Sequence, residues 1–374
     1  MSKQNKNLLL ISYDFPPSTG GIARLCHEIV THMHQYYRHI HVITIQKEGV
    51  AVPYQDIQEV SVHFLPAQRG KAEFKALQLL KKWPDKENTE VLCGLWHPDA
   101  ALALLAGMPN VFVLAHGTEL LIGNSKFRKY LWQPLYAKWV LGKAKKVIAN
   151  SSFTESLVRK INPKANTVAL PLGVNPSFFK PLSNKKQDGK IKICTVSRVL
   201  QFKGHDFILE SLESLPYKYR EQIEWHIAGT GPYLENLKQL AKSSKLSKQI
   251  YFHGFVPDKV LPKFYNQHDL FILATRQADT STQVEGFGLV FLEAQACGVP
   301  VIGTKTGGIP DAIKEGEGGW LIAQDNQKEL IALLKKLIDK PELLSKAEKK
   351  ARERVKTHAN WQNYGKKLYT YINT

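Results

Sequence analysis

Two glutamates stand eight positions apart in "EGFGLVFLEAQACGVPVIG": Glu285 before a Gly-Phe-Gly turn and Glu293 within the segment that follows. Carboxylates accept hydrogen bonds from hydroxyls, so such a pair can grip a sugar or a ribose. Two cations stand five positions apart in "SRVLQFKGHD", where Arg198 offers a planar fork of donors and Lys203 a compact charge. Together they suit a diphosphate. A helix should start near Gly288, leaving the N–H groups of Phe287, Gly288 and Leu289 free for a phosphate or sugar oxygen. Singly, each group has a plainer explanation: a capping Glu, an exposed helical Glu, or a solvated loop in a chain with 51 Lys and Arg. Jointly, cations for phosphates and carboxylates for hydroxyls describe one ligand, a nucleotide sugar.

These groups need elements to hold them. With 374 residues, 43% of them apolar, the chain has material for two α/β domains of roughly 150–200 residues each. Short apolar runs fall at 8–12, 39–45, 61–65, 90–96, 111–117, 146–151 and 167–172, with helical patterns between them, among them Phe74 to Trp83 and Lys126 to Lys143. After a Pro-, Lys- and Asn-rich stretch at 175–190, which reads as a linker, the rhythm restarts at 190–198, 223–231, 250–255, 270–275, 300–304 and 319–323. Strand-helix alternation implies parallel sheets covered on both faces. The expectation is two Rossmann-like domains, 1–178 and 179–357, with the carboxyl ends of their strands facing an interdomain cleft. The sequence leaves open where the terminal helix, 358–374, docks; the N-terminal domain is the candidate.

Three further strand ends fit that frame. Gly20 and Gly21 precede a helical pattern and allow close backbone approach to an anion, although the adjoining Pro16-Pro17 would justify a simple turn. His116 closes the fifth strand in "AHGTEL", on the ligand side, where a structural histidine is the bland alternative. Gly229 and Gly231 in "AGTGPYLENL" lack the third glycine of a dinucleotide fingerprint and give little support to NAD.

With these residues assembled, the chain resembles the retaining glycosyltransferases of the GT-B fold, in their large fourth sequence family. The similarity runs nearly end to end, through "DFPPSTGGI", "AHGTEL", "ANSSFT", "LPLGVN", "SRVLQFKGHD", "IAGTGP", "FHGFV" and the specific "EGFGLVFLEAQACGVPVIGTKTGGIPDAI". The segment from Ala274 to Ile302 is most similar to the branch of GDP-mannose-dependent phosphatidylinositol mannoside mannosyltransferases, while related branches use UDP-sugars. The resemblance implies that Gly20 or Gly21 touches the donor diphosphate, that Arg198 and Lys203 neutralise it, and that backbone near Phe255 and Val256 meets the base. It gives Glu293 the ribose, Glu285 the transferred sugar, and His116 a place beside the reacting face. It implies transfer with retention by a front-face route, in which leaving-phosphate charge is stabilised chiefly by Arg198 and Lys203. No D-x-D triplet occurs, so no metal or other cofactor is expected. His-Gly-Thr-Glu at 116–119 departs from the family's usual His-Gly-His or His-Asp.

The net charge of +18 favours phosphate-bearing partners: nucleotides, nucleic acid or an anionic membrane. Residues 125–146 mix seven Lys and Arg with Trp132, Tyr136 and Trp139, which suits a helix lying on an anionic membrane beside a glycan or lipid-linked acceptor. A core helix with solvated lysines is the alternative. Cys26, Cys93, Cys194 and Cys297 are widely spaced, the apolar run at 8–11 is short for a signal sequence, and no run nears the roughly 20 residues of a membrane span. A cytoplasmic enzyme, at most peripheral on the inner face of the membrane, is therefore expected, in cell-envelope polysaccharide or glycolipid synthesis. Nucleic-acid binding is not favoured, since no reading helix or stacking platform is visible. A nucleotide-sugar epimerase and a non-catalytic basic binding protein are the readings from other classes.

Overall fold

The computed structural model describes residues 5–18, 20–46, 54, 57–122, 125–182, 189–277 and 282–374. It divides into two compact units, Met1–Leu172 with Trp361–Thr374, and Gly173–Asn360. The first holds β1 (Asn7–Ile11), β2 (His39–Ile45), β3 (Val60–Leu65), β4 (Thr89–Cys93), β5 (Val111–Ala115), β6 (Lys146–Ala149) and β7 (Thr167–Ala169) in the order β3-β2-β1-β4-β5-β6-β7. The second holds β8 (Ile191–Val196), β9 (Ile223–Ala228), β10 (Ile250–Gly254), β11 (Leu270–Leu273), β12 (Val301–Thr304) and β13 (Gly319–Ile322) in the order β10-β9-β8-β11-β12-β13. Every pairing is parallel. Strands β4, β5, β11 and β12 are buried along their whole length, and β5 and β11 accordingly read as unbroken apolar runs rather than alternations.

Each expected strand is present, but most stop short of the expected carboxyl end. The run expected to continue to Trp96 pairs with its neighbours only to Cys93, and Trp96 already opens the helical segment Trp96–Ala100. Polar and glycine residues after each ladder leave the sheet and become the loops that carry candidate chemistry. The helix expected from Phe74 begins earlier, at Lys71, because Glu73 accepts the N–H of Gly70 at 2.5 Å and closes the helix start. Residues 126–143 are helical, but Arg128–Ala137 winds in wide π-type turns around Pro134, which has no N–H to continue the ladder.

The strand order reverses at β1/β4 in the first unit and at β8/β11 in the second, the places where open parallel sheets receive ligands. The terminal helix Trp361–Asn373 belongs to the first unit. Its Gly365 approaches helix Gly21–Met33 so closely that an added Cβ would sit 3.0 Å from that of His32. Tyr369 stacks on Tyr36 with centroids 4.6 Å apart, and Lys146 donates to the Tyr371 carbonyl at 2.7 Å. Of the expected linker, the part up to Leu182 is packed, with Arg352 donating to the carbonyls of Pro176 at 2.9 Å and Phe179 at 3.0 Å. Residues 183–188 of it lie outside the described residues.

Two histidine groups sit on the sheets. His226 Nδ1 and His253 Nε2 are 3.0 Å apart, with His268 packed edge-on to His226, and His41 Nδ1 is 3.2 Å from His63 Nε2. Burial, then neighbouring imidazoles, pushes His268 down to about 3 and His41 down to about 4, and lowers His226 and His63 as well, while burial alone lowers His253. Between pH 6.5 and those values the unfolded chain binds more protons than the folded one, so stability is retained above pH 6.5 and lost as pH falls. The urea midpoint should drop steadily from pH 7 to pH 4. His268 alone contributes up to about 1.4 kcal/mol per pH unit, and His268→Gln should flatten the slope.

Candidate active site

Beyond β8 the chain passes Arg198 and makes a tight turn, Gln201–Lys203, before helix His205–Glu213. Gly204 joins turn to helix in the left-handed region (φ 73°), with a Cβ position only 1.9 Å from the Ala274 carbonyl, so no other residue fits. The Arg198 loop is zipped to the turn after β9: Val199 N–H donates to the Thr230 carbonyl at 2.9 Å, and Tyr233 N–H to the Val199 carbonyl at 3.1 Å. Side chains at Gly229 and Gly231 would strike the Ser197 and Val199 carbonyls at 1.8 and 2.4 Å. These two glycines therefore serve backbone packing under Arg198, whose own side chain is exposed. Gly254 accepts from Gly229 at 2.6 Å, setting Phe255, 72% exposed, and half-buried Val256 beside the same turn.

Lys203 and Glu285 meet. Lys203 Nζ lies 2.5 Å from Glu285 Oε2, and the two side chains are only 14 and 16% exposed. They leave β8 and β11, the strands at the order reversal, so the pair closes the mouth of the second sheet. Sequence reasoning had assigned them to different parts of a ligand without seeing that they touch. The Glu285 carbonyl accepts from Gly308 N–H at 2.9 Å, adding the loop after β12. Behind Lys203, His205 is fully buried, and burial followed by the Lys203 charge pushes it down to about 4, so it stays neutral.

Phe287 is buried and pins the turn, and helix Leu289–Ala296 starts directly after Gly288, as expected. Among the described residues no backbone carbonyl accepts from the N–H groups of Phe287, Gly288 or Leu289. Glu293, 2% exposed, accepts the Tyr265 hydroxyl at 3.0 Å. Burial, and then the Glu293 charge, pushes the Tyr265 phenol well above its ordinary range, so it remains a proton donor to that carboxylate.

In the first unit His116 is fixed on two sides. Its N–H donates to Glu119 Oε1 at 2.6 Å, and its Nε2 lies 2.8 Å from the Gly94 carbonyl. A carbonyl only accepts, so Nε2 carries a proton and donates it to the Gly94 carbonyl. Gly20 (φ 140°) and Gly21 start helix Gly21–Met33, and an added Cβ at either meets nothing within 4 Å. Gly20 answers to backbone conformation, whereas no packing demand explains Gly21. Gly20, Gly21 and His116 lie in the first unit, and the other predicted site residues lie in the second.

Comparison with known proteins now adds identity. Residues 19–178 match the model of Glycosyltransferase Family 4, and residues 178–354 match that of Glycosyl transferases group 1. The GDP-mannose-dependent alpha-(1-6)-phosphatidylinositol monomannoside mannosyltransferase of Mycobacterium tuberculosis is 28% identical over 98% of this chain and 97% of its own. This chain belongs to the GT-B glycosyltransferases. A mannosyltransferase of Corynebacterium glutamicum, named for the monoacylated form of that glycolipid, is 25% identical over 97% of both chains. Anabaena HepE, solved with UDP and glucose, shares the fold at a TM-score of 0.75 and 17% identity, over 99% of this chain and 100% of that one.

Sequence reasoning missed two features of this glycosyltransferase. Tyr265, the partner of Glu293, sits in an ordinary amphipathic helix, Leu261–Asn266, with nothing in its spacing to single it out. The latch of Glu119 on the His116 N–H was visible only as a nearby carboxylate. His116→Gln keeps an amide N–H for the Gly94 carbonyl and should unfold within about 1 kcal/mol of the parent. His116→Leu leaves that carbonyl unpaired and should cost about 1–3 kcal/mol, read by urea denaturation.

Proposed function

We propose that this glycosyltransferase moves a hexose, mannose from GDP-mannose, onto a lipid-linked glycan acceptor with retention of configuration and without a metal. The observation that carries this proposal is the Lys203–Glu285 contact. In a nucleotide sugar the diphosphate adjoins the transferred ring, so a cation and a carboxylate side by side match a phosphate oxygen and a neighbouring sugar hydroxyl. Arg198 and Lys203 bear the charge that develops on the leaving diphosphate, and the N–H groups of Phe287, Gly288 and Leu289 receive its oxygens. Glu285 orients the hexose, Glu293 holds the ribose, and backbone at Phe255 and Val256 meets the base. Gly20 and Gly21 approach the diphosphate, and the His116 ring, held through Nε2 on the Gly94 carbonyl, lies beside the reacting face of the sugar and assists the transition state. The departing diphosphate and the entering acceptor hydroxyl share one face of an oxocarbenium-like ion. The absence of any D-x-D triplet favours cationic side chains over a chelated metal in this role.

Mannose and GDP are chosen because relatives named as GDP-mannose-dependent match at 25 to 28% identity over 84 to 98% of this chain. A thermal-shift panel of GDP, UDP and ADP with their sugars tests the choice. At ligand concentrations near 100 Kd, GDP and GDP-mannose should add about 2.7 kcal/mol of stability. A shift with UDP compounds alone would overturn the donor. Glu285→Ala should still bind GDP but lose transfer by at least about 100-fold, and full activity would refute its role.

Those relatives are named for a phosphatidylinositol mannoside, and the surface supports a membrane-borne acceptor here. Phe127, Tyr130 and Leu135 are 59, 65 and 64% exposed, and Lys126, Arg128 and Lys129 are also exposed, whereas Trp132 and Tyr136 pack toward Trp96. The segment combines a core-facing side with an exposed apolar and basic one, and we assign the exposed side to an anionic membrane. No described helix is long and apolar enough to cross a membrane. Sedimentation with anionic vesicles should be strong at low salt and weak at high salt, and Phe127→Ser with Leu135→Ser should reduce it. Equal binding to neutral vesicles would sink the assignment.

A further inference from the structure

Arg276, on the loop that leaves β11, has no part in the roles assigned above. Its backbone N–H donates to the Phe202 carbonyl at 2.6 Å. Its Nη1 lies 2.7 Å from both carboxylate oxygens of Asp206, and its Nε lies 2.6 Å from Asp325 Oδ1. Phe202 immediately precedes Lys203, and Asp206 stands in the first turn of the helix that follows it. Asp325 follows β13. One residue thus brackets Lys203 from both sides in sequence and ties its turn to the loops after β11 and β13. Side-chain exposures of 26% for Arg276 and 16% for Asp206 place their contact largely out of water, where directed bonds hold geometry.

Two properties of the arrangement call for arginine. Nε and Nη1 reach two carboxylates at once, one on a helix and one on a loop, which a lysine ammonium on a flexible stem does far less well. Charge gives the second property. Asp206 is three residues from Lys203, and without Arg276 its carboxylate and that of Asp325, both held on the guanidinium, would be left uncompensated. They would draw the Lys203 ammonium away and repel an incoming diphosphate.

We propose that Arg276 is a positioning residue for donor binding: it fixes the Lys203 turn and screens Asp206 and Asp325, setting nucleotide affinity without touching the nucleotide. The proposal rests on Lys203 as a phosphate ligand, and the experiment separates the two. Calorimetry with GDP and UDP as probes is run on Lys203→Ala, Arg276→Lys, Arg276→Gln and Arg276→Gln/Asp206→Asn/Asp325→Asn, each at a temperature where circular dichroism shows the variant folded. Arg276→Gln should weaken nucleotide binding at least tenfold and Arg276→Lys about threefold. Removing both carboxylates from the Gln variant should recover a good part of the loss, a rescue that a purely architectural role would not give. Should Arg276→Gln fail to fold, Arg276→Lys decides by itself. If Lys203→Ala weakens binding while both Arg276 variants bind as the parent does, the positioning role is overturned and the donor site stands. If Lys203→Ala has no effect, the donor reading falls and takes this inference with it. Weakening without rescue overturns the screening half of the proposal.

Discussion

A lysine and a glutamate locked together at the mouth of the second sheet are the constraint on which the candidate site depends. Both side chains are largely removed from water, and a half-buried charge left alone is costly, so each stabilises the other while no ligand is near. Under the donor-binding role proposed for the pair, a ligand that brings an anionic oxygen for the ammonium and a hydroxyl for the carboxylate together replaces both halves of that contact. A bare phosphate satisfies one partner and strands the other, and a neutral sugar does the reverse.

The rest of the unit exists to bring that pair together. Its two members come from loops after β8 and β11, strands adjacent in the sheet but separated in sequence by β9, β10 and their connections. A parallel sheet covered on both faces offers polar chemistry only at its ends, and the reversal of strand order opens a gap between diverging connections at that point. Gly204, Gly229 and Gly231 let the backbones approach more closely than any side chain would allow, which keeps the Arg198 and Lys203 loops against the sheet. The first unit follows the same logic with different residues: Glu119 accepts the His116 backbone N–H and the Gly94 carbonyl accepts from its ring Nε2, fixing the residue at the end of β5.

Periodicity made the strands and their parallel arrangement legible, because buried β-strands leave unbroken apolar runs that little else in a basic chain produces. Strand ends were less legible, since apolar character runs past the last ladder bond at Cys93 into Trp96, where a helical segment starts. Glu285, Lys203 and the turn at Gly288 stood out by residue type at strand ends. What stayed hidden was contact: nothing in the spacing of Lys203 and Glu285, 82 positions apart, reveals that they meet, nor that Tyr265 reaches Glu293. The early glycines of "AGTGP" looked like ligand chemistry of little weight and proved to be backbone packing, a distinction that needs the neighbouring carbonyls. The docking of the terminal helix was equally invisible, because its amphipathic pattern names a buried face without naming the surface that buries it.

The return of helix Trp361–Asn373 to the first unit has a consequence during synthesis. The second unit, Gly173–Asn360, is spliced between the main body of the first and the helix that packs on Gly21–Met33. A ribosome adding 5–20 residues each second takes roughly 10–40 s over that interval. For that time the nascent first unit shows water the apolar strip later hidden by Leu368, Tyr369 and Ile372. Chaperone engagement during translation should therefore concentrate on the half of the protein made first.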